Sequence, residues 1–475
     1  MKRTCHRIAA SALAWIACLT FAAQVGAQDE LILRGGRLFD GVGDALRPNT
    51  GIVVRGGKFM EVGADLTGRD LSAARVIELA DDDTILPGVF DLHAHYNVNI
   101  LGSGRHDETT VIPVLFLANG ATSTFPAGEY DPEPMLELRR AIDRGEAVGP
   151  RIFSSGPYFG TANANWPRNA TTEDVYAQVD KWAELGAGGF KAKGIRPEHL
   201  KPLIDRAHQH GLTVTGHLDS GSGGRSVNPR DAILMGIDRI EHFLGGDVTP
   251  PTRSAYASLQ NFDPDTPEGS KALDDIIALF IKHDVTFDAT LTAYGYYGDR
   301  GEGFDYWVDE KSFFTPYARE QMAARARPHR INEQFFSIFK VKHKTLKRFH
   351  DAGGRITVGT DHPSTGDYIA GFSWHREVDA FVRAGIPAAA ALKCATIDGA
   401  RAMGVGDKLG SIEAGKFADL LIIKGNPLEN IRATRTMHTV MKAGQVYKTQ
   451  ELFDSVKDKL GPKGPDDERW WDRRD

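Results

Sequence analysis

Six residues of this chain could gather around one centre: His93, His95, a lysine at 191 or 193, His217, His242 and Asp361. The first two stand in "GVFDLHAH", which reads as a buried strand. Alternate side chains of a strand share a face, so His93 and His95 lie roughly 6.6 Å apart along the chain. One metal ion can touch both. Alone, the pair reads equally as one hydrogen-bonded core histidine and one surface histidine. The other four shift that balance, because each also ends a strand-like run: Lys191 and Lys193 in "GGFKAK", His217 in "TVTGH", His242 in "RIEH" and Asp361 in "RITVGTD". Imidazoles, an amine and a carboxylate brought together without partners are costly to desolvate. Metal ions remove that difficulty.

The elements that must position these groups are legible in outline. Adding "GATSTF", "RIFSSG" and "TFDATL" gives eight strand candidates, separated by intervals long enough for a helix, as parallel βα units require. Eight is the number that closes a TIM (β/α)8 barrel, whose active sites lie at the C-terminal ends of the strands. The clearest helix is "PEHLKPLIDRAHQHG". Pro197 suits its first turn, Leu200, Leu203, Ile204 and Ala207 make its apolar stripe, and Gly211 suits its stop. His208 and His210 fall off the stripe and read as solvent-facing. Thr292 to Ile338, between the seventh and eighth strands, is rich in aromatic residues and far longer than a usual βα loop. It reads as a lid or pocket wall, and Tyr158, Trp166, Tyr294 and Tyr296 are rim candidates for lining a pocket.

At 475 residues the chain exceeds one compact core, and one large domain with a smaller one is expected. The reading is α/β: a barrel over 87–400 and a small β-sandwich domain built from both chain ends, 28–86 and 401–449. The charged tail, 450–475, reads as largely unfolded. Residues 1–27 have the basic start, apolar middle and small-residue end of a secretory signal peptide, which predicts export to the periplasm or medium. Cys5 and Cys18 leave with it, so Cys394 alone remains and no internal disulfide can form. The formal net charge of −6 becomes −9 once Lys2, Arg3 and Arg7 are removed. No basic stripe marks a nucleic-acid surface, and no later segment is apolar enough to span a bilayer. A small-molecule substrate is the expected partner, and the chain is compatible with a homo-oligomer.

Taken together, "LPGVFDLHAH", "GAGGFKAKG", "GH" at 216–217, "IEH" at 240–242, "GTD" at 359–361 and "GSIEAGKFADLLII" resemble the amidohydrolase superfamily of metal-dependent hydrolases. The match spans nearly all of the mature chain. It is nearest the branch of imidazolonepropionase-like proteins and exported dipeptidases acting on Xaa-Pro or related peptides. The resemblance implies two divalent metals, with zinc the commonest occupant of such sites. His93, His95 and Asp361 would hold one, His217 and His242 the other, and a lysine carbamylated by CO2 would bridge them. The family pattern "GAD-x-I-K" fits Lys191; Lys193, two residues on, shares its face.

The chemistry so implied is hydrolysis of a C–N bond in a peptide or N-acyl amino acid by a metal-bridging hydroxide. Asp361 would carry the proton from that hydroxide to the leaving nitrogen. The alternative is a mononuclear cyclic amidase or deaminase using His93, His95, His217 and Asp361, with the lysines as bystanders. A non-catalytic binding protein on the same barrel should have lost a ligand, and none is missing. Among weaker candidates, Arg225 in "DSGSGGRSVN" suits a substrate carboxylate or a solvated loop. His362 would point away from Asp361 on a strand and reads as a supporting residue.

Overall fold

The computed structural model describes residues 30–218, 227–250, 253–298, 311–325, 331–362 and 370–472. Each of the eight segments above contains a strand: β1 Val89–Ala94, β2 Ala121–Pro126, β3 Arg151–Ile152, β4 Gly189–Lys193, β5 Thr213–His217, β6 Arg239–Glu241, β7 Thr286–Asp288 and β8 Ile356–Thr357. They form two parallel sheets, ordered β3-β2-β1 and β4-β5-β6-β7-β8. Backbone bonds link the sheet edges on both sides. Leu92 N–H donates to Val358 O at 2.9 Å and Asp361 N–H to His93 O at 2.9 Å; opposite, Phe159 N–H donates to Lys191 O at 2.8 Å. The arrangement is parallel α/β, consistent with a TIM barrel. Its register sets Lys193 beside His217, His217 beside Glu241 and Glu241 beside Asp288.

Helices occupy the intervals between strands. Pro197–Gln209 is the one expected, with Pro197 in its first turn and Leu200, Leu203, Ile204 and Ala207 buried; burial of each Leu or Ile contributes about 1.5–3 kcal/mol. His208 is exposed and His210 half-buried, and they face Asp238 and Asp180. Before that helix, Thr172–Glu184 starts on a reciprocal cap between Thr171 and Asp174, which satisfies two donors that a helix start leaves open. Among the described residues, the long interval before β8 holds three helices, Leu291–Gly298, Pro316–Arg325 and Glu333–Asp351.

Both chain ends contribute to one eight-stranded sheet. Its path runs Gln445–Lys448, Met437–Lys442, Leu420–Lys424, Arg75–Pro87, Leu31–Leu38, Ile52–Arg55, Lys58–Val62, with Arg47–Pro48 paired off it. Strand alternation is plain in Leu31–Leu38: Leu31 and Leu33 enter one apolar cluster with Val54, Phe59, Leu420 and Ile422, while Ile32 enters another with Val53 and Ala64. The tail departs from expectation. Thr449–Val456 is a helix, and Leu452, Val456, Leu460 and Trp470 are buried. Thr315 N–H donates to Leu460 O at 2.8 Å, and Trp471 stacks on His106 at 3.8 Å. These spaced apolar residues bury enough surface to order a segment whose charge suggested a solvated coil. Cys394 is buried and free. No helix among the described residues is long and apolar enough to cross a membrane.

Candidate metal centre

β1 and the residues after β8 are stapled together before any ligand is considered. Asp91 Oδ1 accepts from His93 N–H at 3.1 Å and Thr360 N–H at 3.1 Å, and its Oδ2 accepts from the Thr360 hydroxyl at 2.8 Å. His95 N–H donates to His362 O at 3.1 Å. Gly359 is required beside this staple, because a Cβ there would stand 2.2 Å from Asp288 Oδ2. The result brings His95 Nε2 to 2.9 Å from Asp361 Oδ1 and His93 Nε2 to 3.4 Å from the same oxygen.

The remaining imidazoles converge from β5 and β6. Ring centres lie 5.2 Å apart for His93 and His95, 4.9 Å for His93 and His242, and 4.3 Å for His217 and His242. All four are buried. His242 Nδ1 lies 2.7 Å from the Thr290 hydroxyl, which itself donates to Ala289 O at 2.8 Å. That hydroxyl proton is committed, so Nδ1 donates and Nε2 keeps its lone pair toward the centre. Nδ1 of His93, Nδ1 of His95 and Nε2 of His242 have no hydrogen-bond partner.

Two lysines and two carboxylates complete the surroundings. Lys191 and Glu241 are both buried, and the Lys191 ammonium pairs with Glu241 Oε2 while the Thr215 hydroxyl donates to Oε1 at 2.9 Å. Lys193 turns instead toward the Tyr158 ring, 5.6 Å from its centre. Asp288 Oδ2 is 3.4 Å from His93 Nδ1, and neither Asp288 oxygen has a hydrogen-bond partner. Burial raises the Asp288 carboxyl well above the ordinary range, partly countered by Arg239.

The same burial fixes the ionisation of the imidazoles. Burial, with the Lys191 charge behind it, holds His93 well below the usual imidazole value, and burial likewise depresses His217 and His242. His95 is lowered by burial against the pull of Asp361. Against the burial that opposes it, the facing imidazoles hold the Asp361 carboxyl well below its usual value. Neutral imidazoles and an ionised carboxylate are the states that ligate metal. Among the described residues, the donor atoms of His93, His95 and Asp361 lie within 4.8 Å of one another, as do those of His93, Glu241 and His242. This donor set, with its unpartnered buried nitrogens, fits divalent cations.

Residues 84–449 match the family model of the amidohydrolases. The chain belongs to the amidohydrolase family. No curated protein matches its sequence. Among solved structures, this amidohydrolase is similar to a Xaa-Pro dipeptidase with methionine bound in its active site, at 23% identity and a TM-score of 0.65 over 88% of this chain and 100% of that one. It is similar to molinate hydrolase, at 20% identity and 0.66 over 92% and 99%. It is also similar to the ochratoxinase of A. niger, at 19% identity and 0.61 over 92% and 98%. These likenesses extend to the fold.

The weaker candidates divide. Tyr158 is buried against Tyr130, with ring centres 5.4 Å apart. Tyr294 is buried 6.0 Å from the His242 ring, and Trp166 packs between Phe159 and His199. His362 is buried, and burial pushes it down to about 3. Arg225, the leader and the side chain of Tyr296 lie outside the described residues. Glu241 and Asp288 were not anticipated. The signal was present: each is a carboxylate inside an apolar strand run, "RIEH" and "TFDATL", where an acid is seldom buried unless paired.

Proposed function

We propose that this amidohydrolase cleaves an amide or peptide C–N bond at a pair of divalent metal ions, after export to the periplasm or medium. A dipeptide or N-acyl amino acid is the substrate. The observation that carries the reading is the convergence of four buried imidazoles, two of them facing Asp361, with three ring nitrogens left without protein partners. His93, His95 and Asp361 would hold one ion and His217 and His242 the other, with Lys191 as a CO2-derived carbamate between them. Zinc suits the donors. Bound there, the ions supply water that ionises near neutral pH and polarise a substrate carbonyl. Asp361, held by His95 Nε2, takes a proton from the attacking water and returns it to the leaving nitrogen. The buried walls exclude bulk water from that exchange. The edge hydrogen bonds support reading the eight strands as one closed barrel, and the apolar cluster enclosed by the terminal strands supports reading that sheet as a sandwich.

The test is incubation of the metal-loaded protein with dipeptides and N-acyl amino acids. Ring-opening of a cyclic amide with no peptide or N-acyl amino acid cleaved would overturn the substrate reading. The pairing of Lys191 with Glu241 favours a second reading, in which the lysine stays an amine and one metal sits among His93, His95, His217 and Asp361. Metal counting separates them: two ions per chain, dependent on bicarbonate, support the first, and one ion indifferent to bicarbonate the second. Two ions retained in a Lys191→Met variant would move the carbamate to Lys193.

A further inference from the structure

We infer that a cavity outside the metal centre, where helix Ser373–Arg383, the long interval before β8 and the tail helix Thr449–Val456 meet, binds a small neutral phenol through His375 and Asn119. The inference does not depend on the reading of the reaction. The cavity measures about 350 Å3, and its lining includes none of the metal-centre residues. That size lies near the lower end of ligand pockets, roughly 300–1,000 Å3, and suits one or two rings. Three phenyl groups form part of its wall: Phe313 from the interval, Phe372 just ahead of Ser373–Arg383, and Phe453 from the tail helix. Their ring centres stand 5.8 Å apart for Phe313 and Phe372, 5.6 Å for Phe313 and Phe453, and 5.7 Å for Phe372 and Phe453. The Arg435 guanidinium, 5.0 Å over the Phe372 ring, extends that wall.

Two polar side chains also line the cavity, His375 at 1% exposure and Asn119 at 2%, and each has one polar atom committed and one left over. His375 Nδ1 lies 3.0 Å from the Thr434 hydroxyl, which itself donates to Ile431 O at 2.9 Å. Nδ1 therefore donates, and Nε2 keeps a lone pair with no hydrogen-bond partner. Burial holds this ring well below the usual imidazole value. Asn119 Nδ2 donates to Leu115 O at 2.9 Å, which leaves Oδ1 without a partner. Neither leftover atom is enclosed by protein, so both open into the cavity. Two acceptors beside an aromatic wall call for a donor carried on a flat ring. A carboxylate would set lone pair against lone pair. A buried ammonium would need a counter-charge, and Asp454, the one acid lining the cavity among the described residues, is solvent-exposed. A hydroxyl needs none, and an aromatic ring behind it stacks or packs edge-on against the three phenyl groups.

The experiment is calorimetry on the metal-loaded full chain with p-cresol and with 4-methylanisole, the same ring with its hydroxyl proton replaced by a methyl group. p-Cresol should bind once per chain and about 10-fold more tightly than 4-methylanisole, the span of one hydrogen bond. His375→Phe keeps a ring in place but removes an acceptor, and should narrow that difference. Phe453→Trp, at a partly buried position, adds bulk to the wall and should abolish binding of both compounds with metal content unchanged. It fixes the location if His375→Phe misfolds, and the comparison of the two compounds on the wild type still reports the acceptors. The inference is overturned by any of four results: no saturable binding of p-cresol, equal affinities for the two compounds, a difference untouched in folded His375→Phe, or wild-type affinity in Phe453→Trp. The last would put the phenol elsewhere, the metal centre included.

Discussion

His242 leaves β6 with φ +65°, Thr290 follows β7 with φ +48°, and Asp361 follows β8 with φ +54°. Non-glycine residues seldom adopt this region, and each such backbone costs of order 1–3 kcal/mol. All three stand at the ends of strands whose side chains enter the centre. The turn at His242 defeats simple alternation, so the adjacent Glu241 and His242 both face inward. That is why His242 was legible from sequence and Glu241 was not: a strand rule places neighbours on opposite faces, and only the left-handed turn reverses it. The His242 conformation is secured by Lys342 Nζ, which donates to His242 O at 2.6 Å, and by the Thr290 hydroxyl. Thr290→Val keeps the shape but removes the acceptor that fixes the His242 tautomer. Metal affinity, measured by chelator competition, should weaken about 10–100-fold, as losses of such supporting bonds do, and the buried Nδ1–H left without an acceptor should lower the melting temperature modestly. Unaltered affinity would mean that His242 is oriented by packing alone.

The βα alternation was readable because parallel strands are short apolar runs with polar ends, and because helices such as Pro197–Gln209 carry an apolar stripe. The insert before β8 lacked both cues. "LTAYGYYG" in Leu291–Gly298 has no polar face, and "PYAREQMAAR" in Pro316–Arg325 has no continuous apolar one. What orders the first of these helices comes from another element: Glu377, buried on Ser373–Arg383, accepts from Leu291 N–H at 2.7 Å and Thr292 N–H at 2.6 Å. A helix start so capped from 85 residues away leaves no local signature. Glu377→Ala leaves those donors buried and unsatisfied, and should cost about 2–4 kcal/mol, seen as a lower melting temperature and as proteolytic cleavage near residue 291. Elsewhere, Asp107 accepts from Tyr130 N–H at 2.7 Å and Asp131 N–H at 2.8 Å, ahead of Pro132–Asp143. Burial pushes its carboxyl up to about 7. A carboxyl raised in the folded state loses its stabilising contribution as pH climbs from its unfolded value, 3.8, through about 7. Asp107→Asn carries no such charge, so its melting temperature should rise relative to wild type between pH 4 and 7 and hold a constant offset above pH 8. A flat offset across the whole range would contradict the burial of a titrating carboxylate.

At the scale of the molecule, a largely buried ion pair helps fasten the sheet built from both chain ends to the α/β body. Arg151 opens β3, and its guanidinium donates to Asp419 Oδ2 at 2.8 Å, with side chains 16% and 4% exposed. Asp419 Oδ1 accepts from Ala443 N–H at 2.7 Å, and Asp419 O accepts from Gly88 N–H at 3.0 Å just ahead of β1. One aspartate therefore ties the C-terminal strands to the start of the first metal-bearing strand. That strands from both ends meet in one sheet was legible, since both were glycine-punctuated strand runs; the tie was not, because Arg151 and Asp419 are distant in sequence. Arg151→Met strands a buried carboxylate and should destabilise by about 3 kcal/mol, whereas removing both charges leaves none uncompensated. The double variant Arg151→Met with Asp419→Asn should therefore melt above the single Arg151→Met variant, with metal content intact. A double variant less stable than the single one would show that Asp419 holds the sheet through its backbone-directed bonds to Ala443, and that the ion pair contributes nothing.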